Sequence, residues 1–410
     1  MHPWRHAARE TFFEATPAAC RVSPVGERDE HESLFANQAE LTSSMETGAE
    51  HTLIIRTPDD FHLHLRDGPM LEAVAPISAA QFGRALIMPN LNPPVRTVRD
   101  ALAYRERIMA AIHGGQSEVP HAPSFEPLMA LYLTDGTTPE MVREAAASKV
   151  VKAYKLYPAG ATTNSAAGVT SLEGLYPALN AMADCGIVLC IHGESTAKDV
   201  DPFDREAHFV QQTLPGLMAA APKLRVVLEH CTTKQAVEFV SNFPEDRIAG
   251  TLTCHHLMYT RAALFEGSRL RPHMYCLPVL KAEEHRSALL HAIKHNEKGR
   301  FFLGTDSAPH LEKDKSTPKE GCAAGVFSAP CAMELYAEIF DSVNALEKLE
   351  AFCSLNGAAF YGLEPNKGSM KLAKRARSVA DSVPVHPLGS AIVPIRAGHE
   401  VAWTCSRIEK

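Results

Sequence analysis

No stretch of the 410-residue chain approaches the roughly 18 consecutive apolar residues that a membrane span requires. There is no surplus of positive charge either: 41 Lys and Arg stand against 48 Asp and Glu, a net charge of −7. A basic face for nucleic acid or an anionic membrane is therefore not expected. No two cysteines are spaced as CxxC, and a chain this long needs no disulfide framework. A GxGxxG turn is also missing, which argues against an open dinucleotide-binding sheet. What remains, 45% hydrophobic and 22% charged residues, is ordinary for a soluble globular enzyme.

Residues 1–50 are polar, mixed in charge and without hydrophobic period, and read as a mostly disordered extension. They hold no apolar segment of the secretory type. Arg5, Arg9 and Arg21 would suit an organellar transit peptide, whereas Glu10, Glu14 and Glu27 oppose one, and Met45 is an alternative start. The ten cysteines include several inside apolar runs, such as Cys190, and read as reduced core residues of an intracellular protein. A cytoplasmic location is expected, with mitochondrion or plastid as the alternative if residues 1–50 are a transit peptide.

From residue 51 short β-rich runs alternate with helical patterns. The strand candidates are 61–65, 84–88, 127–134, 150–157, 186–192, 224–230, 248–255 and 300–306. Between them lie patterns such as 98–108, where Leu102, Tyr104, Arg105 and Ile108 recur near helical spacing. Alternation of this kind implies a parallel sheet. Eight units across about 260 residues match a closed α/β (β/α)₈ TIM barrel. The expected organisation is one barrel domain over 51–410. Within its last 45 or so residues, 390–394 and 400–404 are candidate short strands covering one barrel end.

The strongest local signal is Phe61-His62-Leu63-His64-Leu65-Arg66-Asp67. Residues i and i+2 of a strand point to one side, so His62 and His64 can share a metal ion. Among 20 histidines an HxH pair alone is weak. Position changes its weight. The other strand candidates end in Asn90, in Lys155 followed by Tyr157, in His192 and Glu194, in Glu229 and His230, and in Asp306. C-terminal strand ends of a barrel converge on one face, where active sites of this fold sit. Lys155 lies in an otherwise apolar run. Burial would favour its neutral amine, which can add CO₂ to become an anionic carbamate bridging two metals. The alternatives for Lys155 are contact with a substrate anion, or snorkelling to the surface.

The set His62, His64, Lys155, His192, His230 and Asp306 resembles the metal ligands of the amidohydrolase superfamily. The longer strings Asp60 to Gly68, Met88-Pro89-Asn90-Leu91, Lys155 to Ala159, Ala161 to Ser165, Arg271-Pro272-His273 and Gly304 to His310 resemble the stand-alone, bacterial-type dihydroorotases. The resemblance runs from about residue 52 to the C-terminus, with Gly160 where asparagine is expected. It implies two Zn²⁺ per subunit bridged by carbamylated Lys155. His62, His64 and Asp306 would bind the more buried ion, and His192 and His230 the other. Arg66, Asn90 and His310 would hold a substrate carboxylate. Thr162 and Thr163 would lie on a closing loop, and backbone groups near Leu277 and Ala324 would contact the ring. The implied reaction interconverts (S)-dihydroorotate and N-carbamoyl-L-aspartate in pyrimidine biosynthesis, with Asp306 as general acid and base and the chain as a homodimer.

Two other readings stay open. A hydantoinase, dihydropyrimidinase or allantoinase could share the metal set, but a neutral ring gives no use for Arg66 and Asn90 as a carboxylate clamp. An inactive barrel scaffold should have lost ligands, and all six are present. Cys231 reads as packing. His255 and His256 would end the seventh strand, one of them a neighbour of the ligands. His208, His273 and His285 have weaker cases.

Overall fold

The computed structural model describes residues 51–114, 124–316 and 321–408. The expectation of a disordered extension at residues 1–50 lies outside the described residues.

Eight strands, all paired in parallel and in chain order, form the central sheet. They are β1 (Asp59–Leu63), β2 (Arg84–Ile87), β3 (Glu126–Tyr132) and β4 (Val151–Leu156), then β5 (Val188–Ile191), β6 (Val226–Leu228), β7 (Ile248–Leu252) and β8 (Phe301–Leu303). A parallel bridge between Leu63 and Ser307 closes the sheet. Beside it the Asp306 amide donates to the His62 carbonyl at 2.9 Å and the His64 amide to Ser307 at 3.2 Å. The fold is thus the expected (β/α)₈ TIM barrel.

Strand existence agrees with the sequence pattern throughout, but most C-terminal ends come earlier than expected. The run 300–306 contributes only Phe301–Leu303, and 224–230 only Val226–Leu228. The cause is local. His230 and Asp306 sit at φ +40° and +45°, which turns the chain off the ladder. Strand seven stops at Leu252 because Thr253 caps a short helix, Cys254–Met258, by accepting the His256 amide. His255 and His256 therefore belong to a helix, not to the end of a strand.

Each strand sends apolar side chains into the barrel, among them Phe61, Leu86, Leu128, Ala153, Val188, Val227, Ala249 and Phe302. Tyr361 enters from the C-terminal region and stacks on Phe61, with ring centroids 4.8 Å apart. Gly357 allows this approach, since a Cβ there would lie 2.3 Å from the Phe61 ring. The interior is consequently a packed core, not a pore, and only the C-terminal mouth is available for chemistry.

The helix Val98–Gly114 buries Ala101, Tyr104, Ile108, Ala111 and Ile112. Leu102, expected on that stripe, is instead 42% exposed. Tyr104 does more than pack: its hydroxyl donates to the Arg66 carbonyl at 2.6 Å, holding the loop after β1. In the C-terminal region Ser390–Ile392 pairs with Val383–Val385, and Glu400–Val401 with Arg377–Ser378. A further sheet joins Ser369–Ala373 to Thr52–Arg56 and to Thr404–Ile408. Arg407 donates from it to the carbonyls of Ala79 and Phe82, next to the start of β2. That sheet stands by the N-terminal ends of the strands, away from the mouth.

Candidate active site

At the mouth, His62 belongs to β1 and His64 follows it. Their Nε2 atoms lie 3.3 Å apart, so the period-two spacing does bring them together. Asp306 Oδ1 is 3.3 Å from His62 Nε2 and 3.1 Å from His64 Nε2. His192 Nδ1 and His230 Nε2 face each other at 3.1 Å, and the rings of His62 and His230 are 5.1 Å apart. His62, His230 and Asp306 place ligand atoms within 4.8 Å of one another. Lys155, in β4, is wholly buried and its amine has no hydrogen-bond partner.

Two carboxylates orient this group, and neither role was read from the sequence. Glu229 accepts from His62 Nδ1 at 2.7 Å and from the Thr251 hydroxyl at 2.6 Å. Glu194 accepts from His192 Nε2 at 2.8 Å. Each pins the proton on one ring nitrogen and turns the other inward: Nε2 of His62, but Nδ1 of His192. Both glutamates lie inside the strand-end strings, so the signal was a carboxylate within two residues of a ligand histidine.

The charges fit a cation. Burial opposes ionisation of Asp306, but the surrounding His62, His64 and His230 outweigh it and hold the carboxyl well below its usual range. Burial likewise opposes the Glu229 carboxylate, yet Lys155 and His62 bring it down to about 2. Burial pushes the Lys155 amine below the ordinary lysine range, against the pull of Glu229. Lys155 Nζ, His64 Nδ1 and His230 Nδ1 are buried without a hydrogen-bond partner, on three of the residues that make up this group. Such imidazole and carboxylate donors suit zinc-type metals.

The cavity above them is lined by Arg66, Asn90, Tyr157, Thr162, Thr163, Leu277, Ala308, Ala324 and Gly325, together with His62, His64, His192, His230 and Asp306. Ala308 and Gly325 were not singled out in the sequence, and Tyr157 only as a strand-end residue. Arg66 stands at φ +59°, with Nε donating to Pro309 O at 3.1 Å and Nη2 3.0 Å from His310 Nε2. His310 Nε2 is also 2.8 Å from Ala324 O. Burial and then the Arg66 charge push His310 down to about 2, so its ring is neutral. Asn90 lines the cavity and also donates through its side-chain amide to Thr163 O at 3.1 Å, and Asn164 donates back to Asn90 O at 2.9 Å. This pair ties the Thr162–Thr163 loop to the cavity. Gly160 in the same loop has φ +79°, a conformation that asparagine, the expected residue, also tolerates.

Cys231, His255 and His256 do not line the cavity. Cys231 is buried, with its thiol donating to Leu228 O at 3.3 Å. His255, His256 and Cys276 form a second trio with converging ligand atoms. Both nitrogens of His256 are already engaged there, with Thr253 at 2.8 Å and Pro278 O at 2.9 Å.

One glycine guards the geometry. A Cβ on Gly304 would come within 2.8 Å of Thr251 Cβ and 2.9 Å of His62 Cβ. Gly304→Ala is expected to lower stability by about 1–3 kcal/mol through overpacking, read from the denaturant midpoint. An unchanged midpoint would show that His62 and Thr251 yield without cost.

Comparison with known proteins agrees with this geometry. The model of the amidohydrolase family matches residues 53–394. A dihydroorotase from Laribacter hongkongensis is 53% identical over 353 residues, covering 86% of this chain and 99% of its own. One from Neisseria meningitidis serogroup B is 52% identical over 354 residues, covering 86% and 98%. Among solved structures, the dihydroorotase of Saccharomyces cerevisiae in complex with 5-fluoroorotic acid superposes with a TM-score of 0.78 at 31% identity, covering 88% of this chain and all of its own. The L-hydantoinase of Arthrobacter aurescens, at 17% identity and a TM-score of 0.66 over 86% and 83%, shares the fold alone. The chain belongs to the amidohydrolase family and, within it, to the dihydroorotases.

Proposed function

We propose that this chain interconverts (S)-dihydroorotate and N-carbamoyl-L-aspartate, a step of pyrimidine biosynthesis, at the mouth of the barrel. The observation that carries the reading is the meeting of His62, His64, His192, His230 and Asp306 with Arg66 around one cavity, with His310 Nε2 3.0 Å from the Arg66 guanidinium. Membership in the family implies a metal cofactor. We assign it as two zinc ions, held by His62, His64, His192, His230, Asp306 and a carbamylated Lys155. When bound, this pair supplies an acidified water and a Lewis acid for the ring carbonyl.

The protein's own groups do the rest. Burial favours loss of the Lys155 proton; the deprotonated amine would add to CO₂ and release a second proton, which turns an orphaned donor into an anionic ligand. Asp306 accepts the proton of the attacking water as oxygen bonds to the carbonyl carbon. It returns that proton to the ring nitrogen as the C–N bond breaks. Arg66 grips the substrate carboxylate through its guanidinium, with His310 beside it. Asn90 serves the same end of the cavity through its tie to Thr163. Thr162 and Thr163 cover the ring, and the backbone of Leu277 and Ala324 reads its edge. A dry, covered cavity strengthens each of these contacts.

The same reading takes the enzyme as a cytoplasmic homodimer acting on a small molecule, with no nucleic acid or membrane partner. Among the described residues no helix is long and apolar enough to cross a membrane. The rival reading as a hydantoinase leaves Arg66 and His310 without purpose, because a hydantoin ring lacks the carboxylate.

The test is an ultraviolet assay of dihydroorotate, with hydantoin alongside, on protein of measured metal content. Turnover of dihydroorotate alone is expected, lost after dialysis against a chelator and restored by zinc. Full activity in the stripped protein, or preference for hydantoin, would reject the reading.

A further inference from the structure

Lys315 ends the short helix Glu312–Lys315 and is only 3% exposed. A buried ammonium group is costly unless each of its three protons finds an acceptor. Here Nζ donates to the carbonyls of Tyr275 at 2.9 Å, Ala323 at 2.7 Å and Gly325 at 2.8 Å. Ala323 and Gly325 flank Ala324, and Tyr275 stands two residues before Leu277. Ala324, Gly325 and Leu277 all line the cavity. One ammonium thus links two loops, distant in sequence, that build the same wall. The loops touch again where the Gly325 amide donates to Tyr275 O at 2.9 Å, while the Ala323 amide donates to Asp314 O, in the helix that carries Lys315, at 3.0 Å. The positive charge of Lys315 is also felt at Arg66 and His310.

We propose that Lys315 is a positioning residue for substrate recognition. It holds the backbone around Ala324 and Leu277 at the spacing the ring needs, and its charge stands behind the Arg66–His310 grip on the ring carboxylate. The inference rests on the dihydroorotate reading of the cavity. A wall ordered in advance lowers the ordering cost of binding, so its loss is felt in ground-state and transition-state binding alike. A lysine that served stability alone would leave KM where it was.

The experiment compares the zinc-loaded wild type with Lys315→Met, which keeps chain length but removes donors and charge. KM for dihydroorotate is expected to rise by about tenfold or more, the scale of lost hydrogen bonds to a charged group. kcat and zinc content are expected to stay near wild type. Hydrogen exchange of the ligand-free protein is expected to quicken at the Ala323 and Gly325 amides. That readout needs no substrate. Quickened exchange supports the tie even if the wild type turns over no dihydroorotate, an outcome that removes only the substrate reading. A wild-type KM in Lys315→Met overturns the inference whatever the exchange shows, as does a fall in kcat with KM unmoved. Should that variant not fold, Lys315→Arg keeps the charge but cannot reach three carbonyls from one nitrogen. Its KM is expected to rise part-way, and a wild-type value there overturns the inference equally.

Discussion

Asp306→Ala is expected to lose about 10²–10⁴-fold in kcat while keeping its metal, the range a positioned proton-transfer group contributes. The carboxylate lies against the ring nitrogens of His62 and His64 at 3.3 and 3.1 Å, and its side chain retains only 9% exposure, at the cavity. Two functions meet in it, ligation and proton transfer. Four imidazoles remain in the variant, two of them oriented by Glu229 and Glu194, so ligation survives while the proton carrier is gone. Turnover of dihydroorotate and elemental analysis on one sample check this. Near-normal turnover would remove the proton role, and loss of metal with activity would make Asp306 a ligand only.

The second large effect carries opposite signs. Lys155→Met is expected to bring dihydroorotate turnover to background while making the chelator-treated protein more stable. The amine is fully buried and has no hydrogen-bond partner. Leaving such a group unsatisfied costs about 1–3 kcal/mol, and methionine replaces it with an apolar chain of similar length. A lysine kept against that cost is held for function. Thermal melting in chelator, with metal content and turnover, reads both signs. A lower melting point would show that the amine is compensated in the fold, and normal turnover would reject the carbamate.

Much of the site was legible because its signals are local. Lys155 stood out as a charge flanked by apolar residues near the end of a strand, and His192, His230 and Asp306 as polar ends of apolar runs. The eight strands followed from the same alternation. Less legible was anything set by a partner far along the chain. Glu229 orients His62 from 167 residues away. The tie of Asn90 to the loop at Thr163 likewise joins segments far apart in the chain. The two histidines after strand seven were placed on a strand because nothing apolar marks where it ends. A threonine cap ends it.

The sequence by itself determined that imidazoles, a lysine and a carboxylate would meet at one barrel mouth. Side-chain alternation along a strand and the parallel order of βα units are properties of neighbouring residues. Only the tertiary structure decided which nitrogen each imidazole presents, which amine is left without a partner, and how Lys315 joins two loops. Those outcomes depend on hydrogen bonds and burial between segments far apart in the chain. Their energies depend on distance and on the exclusion of water, and neither quantity exists until the barrel has closed.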